Sequence, residues 1–175
     1  MLNKKRKGFT LIEILLVIVI LAALSATMML SSRESTYFAK ANSIISTMNL
    51  VRDAALSYYT NNIENNPTPR EFYTKESQSY LGDTAKKDKS SSNFLDIDGI
   101  KFTVEGRKDG SVNDETSEID SWYVKCDFSV LDSAEEVGVI KSLLEIDKEH
   151  SRLHKWNGTN YEIYDGGSSV WLRVK

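Results

Sequence analysis

Between residues 9 and 30 the chain has almost no polar position: of these 22 residues only Thr10, Glu13, Ser25 and Thr27 are not apolar. At a rise of about 1.5 Å per residue, a helix of this length spans roughly 33 Å, enough to cross the hydrocarbon core of a bilayer. After residue 30 the pattern turns from continuous to periodic. Tyr37, Ala41, Ile44, Met48, Val51, Ala55 and Tyr58 recur at alternating spacings of four and three, with Phe38, Ile45 and Tyr59 widening the stripe. That is one face of a helix packed on a core. No Gly or Pro interrupts residues 9–60, so both stretches read as one helix.

Asn61, Asn62, Pro67 and Pro69 end it. Thr68 and Glu71 then form a capping box with Pro69 at the first helical position, predicting a short helix to about Tyr80 that Gly82 stops. Residues 83–93 read as a polar loop carrying Lys86, Lys87 and Lys89. Ile100, Phe102 and Val104 alternate, as do Trp122, Val124, Cys126, Phe128 and Val130, predicting two strands with one buried face each. Residues 107–121 between them read as an exposed, acidic loop. Ser133 and Glu136 suggest a second capping box, opening a helix to about Glu149 with Val137, Ile140 and Leu144 inward. Tyr161 and Ile163, a turn at Asp165-Gly166-Gly167, and then Val170, Leu172 and Val174 return the chain to strand. The pattern predicts an α+β fold. A long N-terminal helix, one half transmembrane and the other packed, lies against a small antiparallel sheet with one or two short extra helices.

The 175 residues suffice for about one domain and an appendage. Formal net charge is −3, but Lys4, Lys5, Arg6 and Lys7 stand together at the start, and the rest carries 18 basic against 25 acidic residues. A surface this acidic argues against general nucleic-acid binding. Cationic residues before an apolar span stay cytoplasmic, which predicts one crossing of the membrane lipid with the C-terminal domain outside. Cys126, the single cysteine, precludes an intrachain disulfide and reads as a small buried hydrophobe. His150 and His154 are four apart, as paired metal ligands on a helix would be, but no third ligand has matching spacing. Asp96-Ile97-Asp98-Gly99 and Asp165-Gly166-Gly167 read as turns, not calcium loops. With no nucleophile motif or nucleotide-binding glycine pattern, neither enzymatic activity nor a cofactor or metal is expected.

Three readings compete for the apolar segment: a permanent anchor, a secretory signal cut before Ala26 after Ala23-Leu24-Ser25, and something more specialised. Glu13 separates them, because a carboxylate in a bilayer is costly to insert without a partner or a role. If the chain is cut between Gly8 and Phe9, Phe9 gains a free amine. Phe9 and Glu13 are four apart and share a helix face. The amine then has Glu13 of its own chain within reach, and in apolar surroundings it could equally pair with Glu13 of a neighbouring subunit, which would add subunits in register.

Lys7-Gly8-Phe9-Thr10-Leu11-Ile12-Glu13, between a basic leader and an apolar helix, resembles the N-terminus of type IV pilins and type II secretion pseudopilins. The resemblance covers residues 4–30. It implies residues 1–8 as a leader, 9–30 as the transmembrane and filament-core helix, 31–60 as the packed half, and 61–175 as the extracytoplasmic domain. It also implies cleavage after Gly8 by a prepilin peptidase, N-methylation of Phe9 and a role for Glu13 in filament assembly. Partners implied are that peptidase/methyltransferase, other pilin or pseudopilin subunits, an assembly ATPase and an inner-membrane platform protein. The location implied is the bacterial cytoplasmic membrane and then a filament. The sequence departs from the family at Ala22 and Leu30, where a glycine and a proline are usual, and its lone cysteine cannot close the C-terminal loop of many major pilins. These departures favour a minor or divergent member. The alternative is a membrane-anchored or secreted binding domain outside any filament.

Overall fold

Helix α1 covers Leu11–Asn61, within a residue or two of the expected span and with no break at Ala22 or Leu30. The computed structural model describes residues 9–72, 80–81, 86–87, 95–97, 100–108, 111–112, 121–156 and 161–175. The chain divides into two units, Met1–Thr36 and Tyr37–Lys175.

In the first unit every described side chain is exposed. Ser25 and Thr27 turn their hydroxyls back onto the helix, donating to the carbonyls of Leu21 and Leu24 at 2.8 Å each. Neither hydroxyl therefore needs an outside partner in an apolar medium.

In the second unit the α1 stripe is the core. Ala41, Ile44, Met48, Val51, Ala55 and Tyr58 are buried, and Ile45 and Tyr59 pack beside them. Phe38, expected to widen the stripe, is 47% exposed, because it precedes the first fully buried turn, at Ala41. After a 3-10 turn at Ile63–Asn65, the capping box at Thr68 opens α2 (Pro69–Glu71) as expected. Residues 73–79 and Gly82, where that helix was to run and stop, lie outside the described residues, and Tyr80 and Leu81 are helical.

The sheet comprises β1 (Lys86–Lys87), β2 (Leu95–Ile97), β3 (Ile100–Lys108), β4 (Ser111–Val112), β5 (Ser121–Asp127), β6 (Leu153–Trp156), β7 (Tyr161–Ile163) and β8 (Ser169–Arg173). The order is β1-β2-β3-β5-β8-β6-β7, with β4 also on β3, and every described pairing is antiparallel. Cross-strand rows Phe102–Cys126–Val170 and Val104–Val124–Leu172 form the buried face. Trp122, the largest fully buried side chain, pairs with Gly106, which has no side chain to crowd it. Its ring meets Tyr59 edge-on at 5.3 Å, and the Lys175 ammonium lies 4.1 Å from the Tyr59 ring centre.

Several local expectations are corrected. Lys86 and Lys87 form β1 instead of a loop, since pairing with β2 supplies hydrogen bonds that their own sequence does not advertise. Lys89 lies outside the described residues. Arg107 belongs to β3 and is 8% exposed, while Ser111 and Val112 fold back on β3 as β4, so residues 107–121 are not one exposed loop. β5 stops at Asp127, whose carboxylate accepts from the Ser129 N–H and hydroxyl at 3.0 and 2.7 Å. That turn leaves Val130 exposed.

Helix α3 (Ser133–Asp147) is capped by Asp132, whose Oδ1 accepts from the N–H groups of Ala134 and Glu135. The cap is thus one residue earlier than expected. The inward face is Val139, Leu143 and Asp147, with Ile140 and Leu144 half-buried and Val137 67% exposed. The helix ends at Asp147 because its carboxylate accepts from the Arg152 and Leu153 N–H groups at 3.1 and 2.9 Å, pulling the chain into β6.

Candidate functional site

Phe9 and Thr10 are not helical, and α1 starts at Leu11. Thr10 holds that start. Its carbonyl accepts from the N–H groups of Glu13 and Ile14 at 3.1 and 3.3 Å, and its Oγ1 accepts from the Glu13 N–H at 3.3 Å. Reciprocally, Glu13 Oε2 accepts from the Thr10 N–H at 2.7 Å and the Thr10 hydroxyl at 2.9 Å. This is a capping box, with two orphan donors of a helix terminus satisfied by two side chains. The Glu13 carboxylate also sits at the positive end of the helix dipole.

Around this polar knot the surface is uniformly greasy. Phe9 and Leu11 are each 84% exposed and Ile12 72%. Glu13 is the one ionisable side chain among the described residues before Arg33. A helix apolar on all sides and covered by none of the described residues is built for lipid or for other helices. Among the described residues, α1 is the helix long and apolar enough to cross a membrane.

The family defined by the prokaryotic N-terminal methylation motif matches residues 3–29. Over those residues the chain carries the N-terminal motif of prepilin-type, type IV pilin-like proteins. No curated protein and no solved structure matches it. The match runs over Lys4, Lys5, Arg6, Lys7 and Gly8, which lie outside the described residues, over Phe9, which precedes α1 and so does not share the expected helix face with Glu13, and over Glu13 in the first turn of α1. The motif implies processing by prepilin peptidase and assembly with other pilins, and with the apolar helix it fits membrane anchoring.

Sequence reasoning missed Thr10 as Glu13's partner. The signal was present, since Thr10 and Glu13 have the spacing that identified the box at Thr68 and Glu71.

The other candidates are scattered through the second unit. His154 lies on β6 and His150 beyond the end of α3, so the two share no helix face. Asp96 lies on β2, and Asp98 and Gly99 lie outside the described residues. Among the described residues no group of three or more His, Cys, Asp or Glu is placed to hold a metal. Cys126 is buried as expected, and burial, with Asp127 adding to it, pushes its thiol pKa up, which keeps it protonated and inert.

At the C-terminal turn, Gly166 and Gly167 take φ of 133° and 115°, which other residues rarely adopt. Asp165 accepts from the Lys155 ammonium at 2.7 Å, and that hydrogen bond holds its carboxyl below the usual range and the lysine above its own.

The sequence also gave no sign of the cluster on the sheet face opposite the core. There Glu105 accepts from Arg107 at 3.2 Å and from the Trp171 indole at 3.4 Å, with the Lys125 ammonium 3.8 Å away. Glu105 and Arg107 lie on β3, Lys125 on β5 and Trp171 on β8, three adjacent strands, so pairing is what brings Lys125 and Trp171 to Glu105.

Proposed function

We propose that this chain is a structural subunit of a type IV pilus or pseudopilus filament, inserted with its N-terminus cytoplasmic and cleaved after Gly8. It then assembles through residues 9–30. One observation carries the reading: the methylation motif coincides with a helix start at which a single carboxylate, Glu13, stands in an otherwise apolar, exposed surface. Burial of such helices against one another supplies cohesion. The amine freed at Phe9 and the Glu13 carboxylate set register, since either charge alone opposes burial. The extracytoplasmic domain forms the outer surface, and the chain has no catalytic task.

Within this class we assign it to the minor pilins or the type II secretion pseudopilins. Ala22 and Leu30 stand where helix breakers are usual, and Cys126 has no cysteine partner. The prepilin peptidase/methyltransferase, other subunits, an assembly ATPase and an inner-membrane platform protein are the partners that this role requires.

Mass spectrometry of the mature N-terminus tests the reading. A chain beginning at Phe9 and heavier by one methyl group is expected. A chain beginning at Ala26, or an uncut one, would overturn it in favour of a secreted or anchored binding domain. Glu13→Ala is expected to insert normally and to leave filaments unmade, as scored by electron microscopy of sheared fractions. Normal filaments from that variant would remove the register role.

A further inference from the structure

We draw no further inference here: the strongest candidate, the side of α1 in the second unit that exposes Phe38 and Leu56, is an unpartnered helix face, and nothing in the structure shows what covers it.

Discussion

Among the described residues, the buried hydroxyl of Thr103 on β3 has no hydrogen-bond partner, and neither has Nδ1 of His154 on β6. An unsatisfied buried hydroxyl costs free energy that an apolar group of the same shape does not. Thr103→Val is therefore expected to stabilise the second unit by about 1 kcal/mol, read as a higher urea midpoint at unchanged slope. A lower midpoint would show that the hydroxyl finds a partner. Asp147 is the opposite case, a buried carboxylate engaged by two backbone N–H groups. Asp147→Ala leaves both donors stranded and is expected to cost about 1–3 kcal/mol. Protection of the Arg152 and Leu153 amides from hydrogen exchange should fall with it. The Lys155–Asp165 pair makes a pH prediction whose sign follows from the two shifts. Asp165 is lowered, so its contribution is present above the ordinary carboxylate pKa and is lost as pH falls through the folded value. Lys155 is raised, so its contribution is present below the ordinary lysine pKa and is lost as pH rises through the folded value. The stability difference between the natural chain and Asp165→Asn should be flat across neutral pH and close at the acidic end. A difference that persists below the carboxylate range would mean that the ion pair is not its source.

At the scale of elements, the contact between α1 and α3 turns on one missing side chain. A Cβ added to Gly138 would lie 2.3 Å from Cδ2 of Tyr37, so the two helices approach only because residue 138 has none. Gly138→Ala is expected to destabilise by about 1–3 kcal/mol through overpacking. In a Tyr37→Ala background most of that penalty should vanish, and additive penalties in the double-mutant cycle would refute the contact. Elements with their own period were legible from sequence: α1, whose stripe from Ala41 to Tyr58 is the core, and β5, where Trp122, Val124 and Cys126 face inward, with Phe128 buried just beyond its end. Elements whose hydrogen bonds come from neighbours were not. Lys86-Lys87, Ser111-Val112 and Leu153–Trp156 carry no alternation long enough to announce a strand, and they pair because β2, β3 and β8 offer them edges. On α3 the apolar residues nearly encircle the helix, so the choice of Val139 and Leu143 over Val137 was made by the surface it meets. At the candidate site Phe9 and Glu13 were legible because a charge in an apolar run stands out. Thr10 was not, because a hydroxyl beside it looks incidental until its hydrogen bonds are seen.

For the whole molecule, the two units make different demands on solvent. The second contains its own core, from Ala41 to Val174, whereas the first exposes nearly all of its apolar surface. A chain beginning at Ser31 is expected to be soluble without detergent and to unfold in one cooperative urea transition, while the full chain should require detergent. A shallow, non-cooperative transition in the shortened chain would show that the second unit depends on the first. The back-bonded hydroxyls of Ser25 and Thr27 bear on how such helices find their places. With those groups silenced, two such helices sliding along each other meet a smooth energy profile apart from side-chain ridges, which recur about every 5.4 Å, one helical turn. These ridges act as evenly spaced detents, any of which would hold a subunit at the wrong height about as well as at the right one. In the filament proposed above, Glu13 would be the charge that labels a single detent, so an error in stacking would take the form of a slip by whole turns.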